Sequence, residues 1–269
     1  MMKEKKSQIL QIWKFYGKLH HNCPRKKAEM FLNTPISQKE YPAPVTALEH
    51  ATQEQKKWSK KYLKKAKEIV PWLRFFPGIR AAAVCNSVAL GTAEKGSDID
   101  LLIITASGKL WTARIFSTLF FQMIGMRRHR KKIAGRFCLS FFVTKEALCF
   151  EKIAIKPKDP YLAFWVSTLV PIFGKESFET ILKKNSDFVM ENGSISIVFQ
   201  KTLEQTAAES SWIRNVLETI FGVWFERAMK KIFLPRTLKK RAALKDASGT
   251  IIEKNILKFH NSDKRKDFL

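Results

Sequence analysis

The spacing of apolar residues changes period along this chain, and the changes mark out its elements. Ile9, Ile12, Trp13, Tyr16 and Leu19 recur at helical intervals, which predicts an amphipathic helix over 5–21. Segment 33–44 contains three prolines and no such period, so it reads as a linker or extended arm. From 46 to 70 a thin apolar stripe that includes Trp58, Tyr62, Ala66 and Ile69 predicts a long Lys-rich helix, stopped by Pro71. Runs 79–85, 98–105 and 137–144 are short, apolar and suited to buried strands. A small-residue turn with a short helix joins the first two, and Ser107-Gly108 leads into an apolar helix over 110–126. From 159 onward everything reads as helix. Asp159-Pro160 opens one, 175–190 is another, and 203–234 is a long one ended by Pro235. Two short segments follow, 239–245 (basic and helical) and 256–260 (apolar-basic). The expected fold class is α+β. A small mixed β-sheet core at 76–155 is flanked by an N-terminal helical region with its Pro-rich linker (1–75) and a C-terminal helical domain (156–269).

One strand breaks its own pattern. Asp98 and Asp100 interrupt the run 98–105, and on a strand they project from the same face, while Ile99 and Leu101 point to the other. Side-by-side carboxylates on a buried strand repel and raise each other's pKa. A cation between them removes that conflict, and a divalent ion is the usual one.

Charge then narrows the partners. Lys and Arg number 49 against 24 Asp and Glu, a formal net charge of +25, and no single tail carries the excess. A polyanion is the natural partner: RNA, DNA, nucleotide phosphates or an anionic membrane surface. Solvated helix faces in a Lys-rich chain are the plainer account of part of this charge. The four cysteines, Cys23, Cys85, Cys138 and Cys149, form no C-x-x-C pair, and Cys85 and Cys138 lie in apolar runs, as reduced core thiols of a cytoplasmic protein do. His20, His21 and Cys23 are close enough to bind a metal, but adjacent histidines at a helix end are more often plain surface residues. The apolar segment 9–19 is broken by Gln11, Lys14, Gly17 and Lys18, a poor signal-peptide core. The run 110–126, interrupted by Arg114 and Gln122, falls short of the ~20 apolar residues of a membrane span. No transmembrane segment is expected; 110–126 reads as a buried helix with a basic end at 127–132.

The stretch from Cys85 to Thr105, C-N-S-V-A-L-G-T-A-E-K-G-S-D-I-D-L-L-I-I-T, resembles the signature of the nucleotidyltransferase superfamily, the DNA polymerase beta-like fold. That signature is an apolar strand, Gly-Ser, about ten residues, and Asp-h-Asp on the next strand, h being apolar. Asn86-Ser87 stands in the Gly-Ser place, and Ser97-Asp98-Ile99-Asp100 matches the second half. The match covers 79–105, and 106–144 by order of elements. Leu110–Arg114 and 257–260 look further like a group of bacterial nucleotidyltransferase-like proteins. The resemblance implies transfer of a nucleoside monophosphate from a nucleoside triphosphate. Asp98 and Asp100 would be the catalytic residues and the ligands of Mg²⁺ or Mn²⁺, with Asn86, Ser87 and Ser97 binding the nucleotide. The basic charge suggests a nucleic-acid acceptor such as RNA; a phosphorylated small molecule and a protein side chain are the other acceptor classes. The sequence departs from the family twice. Asn86 replaces a glycine, and strand 137–144 lacks the acid that family enzymes usually place there. Ser140 occupies its middle, and the nearest acids are Glu146 and Glu151. The rival reading keeps the fold without catalysis, as a module binding RNA or DNA through its basic surface.

Overall fold

The computed structural model describes residues 51–129, 131–155, 159–191, 212–259 and Arg265. The expected helix at 5–21, the His20, His21 and Cys23 group and the linker at 33–44 lie outside them. Helix α1 (Gln53–Ile69) opens on a capping box: Thr52 Oγ1 accepts from Gln55 N at 3.1 Å, and Gln55 Oε1 accepts from Thr52 N at 3.0 Å. Tyr62 and Ala66 bury its apolar stripe, and a 3₁₀ turn (Val70–Phe75) holding Pro71 ends it. Strand β1 (Ile79–Cys85), short helix α2 (Asn86–Leu90), strand β2 (Ile99–Thr105), helix α3 (Leu110–Met123) and strand β3 (Phe137–Thr144) follow in the expected order. Then come α4 (Pro160–Ser167), β4 (Val170–Phe173), α5 (Lys175–Glu191), α6 (Trp212–Ile220), α7 (Val223–Ala242), β5 (Thr250–Ile252) and β6 (Ile256–Phe259).

The strands form one mixed sheet in the order β4-β1-β2-β3-β6-β5. Among the described strands, only β2 and β3 pair in parallel. Alternation sorts the side chains onto two faces. Ala82, Val84, Ile99, Leu101, Ile103 and Phe142 meet α1 and α3. Ala81, Ala83, Leu102, Ile104, Phe141 and Val143 meet α4 and α5. The protein is therefore a mixed α+β fold whose sheet is covered on both sides.

Two expectations for the later chain are corrected. The stretch from 159 onward is not wholly helical, because β4, β5 and β6 belong to the sheet. Pro171 lies in β4, where an edge strand tolerates the missing N–H. The helix expected over 203–234 is interrupted at Phe221-Gly222, and Pro235 sits inside α7 rather than ending it; 203–211 lie outside the described residues.

Two glutamates fasten α6 and α7 to the sheet layer. Glu218 accepts from Arg80 Nη1 at 2.6 Å and Nη2 at 2.9 Å, and from Gly78 N at 2.8 Å. Glu226, buried on α7, accepts from Trp111 N at 3.0 Å, Thr112 N at 2.7 Å and Thr112 Oγ1 at 2.8 Å. It thereby caps the first turn of α3, whose own N-cap residue, Lys109, offers no acceptor. Glu226→Ala leaves those donors buried without partners and is expected to cost about 2–3 kcal/mol. Chemical denaturation measures this, and a loss below half a kcal/mol would show that the cap is dispensable.

Candidate metal and phosphate site

Asp98 and Asp100 lie at the start of β2, on the sheet face covered by α4 and α5. In register, Asp100 stands between Cys85 at the end of β1 and Cys138 near the start of β3. Ile99, between the two aspartates, is fully buried in the opposite face. One ligand atom each from Asp98, Asp100 and Cys138 come within 4.8 Å of one another, the one such group of His, Cys, Asp and Glu among the described residues.

Cys138 reaches this face through an irregularity in the sheet. Between the pairs Asp100–Cys138 and Leu102–Phe141, β3 has one more residue than β2. The bulge puts Cys138 and Phe141 on the same face although they are three apart. Strict alternation in the sequence conceals this. The bulge also gives β3 a metal-ligating side chain beside the two carboxylates, a cysteine rather than an acid. Neither Glu146 nor Glu151 belongs to the cluster. Both are exposed, and Glu146 lies past the opposite end of β3.

The turn after β1 is fixed from both sides. Asn86 has φ +58°, the sole non-glycine with positive φ among the described residues. Asparagine tolerates this region better than most residues, so it stands in for the expected glycine. Its Nδ2 donates to Asp100 Oδ2 at 2.9 Å, while its Oδ1 accepts from Trp165 Nε1 at 3.1 Å. An indole only donates, so the amide orientation follows from chemistry. Trp165 is in turn held between Phe141 and Phe150, with ring centroids 5.3 and 5.6 Å away. Ser87 follows Asn86 in α2, half-buried, with its carbonyl accepting from Thr92 N at 2.9 Å. Ser97 is used differently: its Oγ accepts from Glu94 N at 2.9 Å, and its carbonyl accepts from Gly135 N at 2.7 Å. It stitches together the loops that lead into β2 and β3.

Helix α1 braces the same loops. Ser59 Oγ accepts from Ala93 N at 2.9 Å, Tyr62 Oη donates to the Lys95 carbonyl at 2.6 Å, and Lys65 Nζ donates to the Gly135 carbonyl at 2.6 Å. Gly135 has φ +60°, and a Cβ there would stand 2.9 Å from Tyr62 Cε1, so glycine is required.

A cation from the chain already sits at the carboxylates. Arg128 Nε is 3.1 Å from Asp98 Oδ2, and its Nη1 is 3.4 Å from Cys138 Sγ. Backbone bonds from Arg128 N to the Phe137 carbonyl and from Phe137 N to the Met126 carbonyl, both 2.9 Å, aim this one member of the basic run inward. Burial raises the Asp98 pKa above its ordinary value, the Asp100 charge adds to this, and Arg128 offsets it in part. Burial and both aspartates push the Cys138 thiol up to about 12. Burial also pushes the Cys85 thiol well above its ordinary value. Ser140 Oγ is buried without a hydrogen-bond partner, close enough to Cys138 to favour its thiolate.

Aspartates, a thiol, an asparagine-serine turn and an arginine can together hold a divalent cation and phosphate oxygens. Two carboxylates are the oxygen ligands that Mg²⁺ or Mn²⁺ would take, and the third member of the cluster is a sulfur rather than an oxygen. Of the residues expected from sequence, Asp98, Asp100 and Asn86 lie together, and they are joined by Cys138, Arg128 and Trp165, which no local pattern singles out. Compared with protein-family models, curated proteins and solved structures, the chain matches none.

Because the Asp98 pKa is raised on folding, the folded chain holds that proton more tightly than the unfolded chain does. The associated stability is present at low pH and lost as pH rises through the folded value. Asp98→Asn is therefore expected to melt at or above the wild-type temperature at neutral pH, the gain fading below the ordinary aspartate range. A thermal-denaturation series over pH checks this, and a variant less stable at neutral pH contradicts it.

Proposed function

We propose that this chain is a cytoplasmic, divalent-cation-dependent nucleotidyltransferase of the nucleotidyltransferase superfamily. It would transfer a nucleoside monophosphate from a nucleoside triphosphate to an acceptor for which nucleic acid is the favoured class. The observation that carries the reading is the placement of Asp98 and Asp100 on one sheet face, within 4.8 Å, beside the Asn86-Ser87 turn. Buried, free thiols at Cys85 and Cys138 suit a reducing compartment. The charge of +25 suits a polyanionic acceptor.

In this reading Asp98 and Asp100 hold Mg²⁺ or Mn²⁺, which would neutralise phosphate charge and lower the pKa of the acceptor hydroxyl. The acceptor oxygen bonds to the α-phosphorus as the bond to the departing pyrophosphate breaks. The chain's own groups position these partners. Asn86, clamped between Asp100 and Trp165, fixes the turn, and the Ser87 hydroxyl donates to a phosphate oxygen. Arg128, half-exposed, can leave Asp98 and turn its guanidinium toward the phosphates.

The Asp98–Arg128 ion pair also favours a second reading. A site neutralised by its own arginine needs no metal, and the fold would then serve as an RNA- or DNA-binding module. Transfer of label from nucleoside triphosphates to total cell RNA, protein and metabolites separates the two. Asp98→Ala and Asp100→Ala should each reduce Mg²⁺- or Mn²⁺-dependent transfer to background with the circular dichroism spectrum unchanged. Equal transfer by both variants would falsify the enzymatic reading. Salt-sensitive RNA binding that ignores both Mg²⁺ and Asp98→Ala, without transfer, would establish the module.

A further inference from the structure

The cation site contains a feature that a purely oxygen-ligated ion does not call for. Cys138 Sγ joins the two carboxylates within 4.8 Å, and the groups around it are donors. Arg128 Nη1 approaches at 3.4 Å. Ser140, only 5% exposed, places its hydroxyl next to the sulfur and makes no other hydrogen bond. A buried hydroxyl without a partner costs about 1–3 kcal/mol. A metal-bound sulfur beside it would supply a stronger acceptor than the thiol does. The bulge that turns Cys138 onto this face is further specific to this strand position.

We propose that Asp98, Asp100 and Cys138 form a mixed carboxylate–thiolate site that selects a thiophilic divalent ion, of the Zn²⁺, Co²⁺ or Cd²⁺ class, over Mg²⁺. The ligands decide this: Mg²⁺ takes oxygen ligands and keeps its waters, whereas sulfur adds affinity for the softer ions. On binding, the S–H bond breaks, the proton passes to solvent, and a sulfur–metal bond forms. The Arg128 guanidinium gives up its place at Asp98, and the Ser140 hydroxyl donates to the bound sulfur. The inference rests on the reading of Asp98 and Asp100 as ion ligands and goes beyond it in the class of ion.

Titration of the full chain with Co²⁺, followed in the near ultraviolet, tests this. The expected result is a sulfur-to-cobalt charge-transfer band that saturates at one equivalent. Stoichiometric Zn²⁺ should abolish it, and a roughly hundredfold excess of Mg²⁺ should leave it in place. The band should vanish in Cys138→Ser and persist in Cys85→Ser. Cys138→Asp, with three carboxylates, should lose the band and reverse the preference toward Mg²⁺, an outcome that a merely structural cysteine would not produce. No band in the wild-type chain, a band surviving Cys138→Ser, or displacement by equimolar Mg²⁺ overturns the proposal. Nucleotide transfer with Mg²⁺ and no cobalt band would refute this inference alone. A Cys138-dependent band in a chain inactive with every ion would refute the nucleotidyltransferase reading alone.

Discussion

Electrostatic repulsion between Asp98 and Asp100 is the constraint around which this end of the molecule is arranged. Two unit charges within 4.8 Å repel by at least roughly 3.5 kcal/mol at the effective dielectric constant of partly buried sites. Strand geometry leaves no way to separate them, because residues two apart must share a face. The chain answers with an arginine at Asp98 and an asparagine amide at Asp100. The arginine is half-exposed and can be displaced; the amide is locked by Trp165. One neutralising group is therefore free to move away while the other keeps the turn in shape.

Rigidity of the surroundings makes that exchange local. Helix α1 holds both loops that enter the site through Ser59, Tyr62 and Lys65. The Ser97 carbonyl and the Gly135 amide tie those loops to each other. Behind Asn86, the side chains of Trp165, Phe141 and Phe150 form an aromatic cluster that holds the Trp165 indole in place. Such support fixes the carboxylates, the Asn86 amide and the Cys138 thiol relative to one another.

The sequence made the central part of this legible. Strands β1, β2 and β3, helix α3 and the two aspartates all follow from periodicity and flanking turn residues, because each is a local signal. The strands that were missed depend on distant partners. β4 contains Pro171 and is readable only once its edge position is known. The hairpin β5–β6 is short, and its place beside β3 is a long-range pairing; Glu253 N donating to the Ile256 carbonyl marks the turn that sequence inspection passed over. Cys138 was hidden for a related reason. Its face depends on a bulge, and a one-residue irregularity reverses every inference drawn from alternation. Arg128 lay in plain view within a basic run, and its ion pair with Asp98 is what sets it apart from its described neighbours.

Nucleotidyl transfer is decided at the phosphorus nearest the nucleoside. Parallel incubations with nucleoside triphosphates labelled at the α- or the γ-phosphorus, with a divalent ion and a cell extract as the source of acceptors, follow it directly. Nucleotidyl transfer places the α-label on an acceptor and releases the γ-label as pyrophosphate. Transfer of the γ-label to acceptors, or retention of both labels in intact triphosphate with every ion supplied, would contradict it.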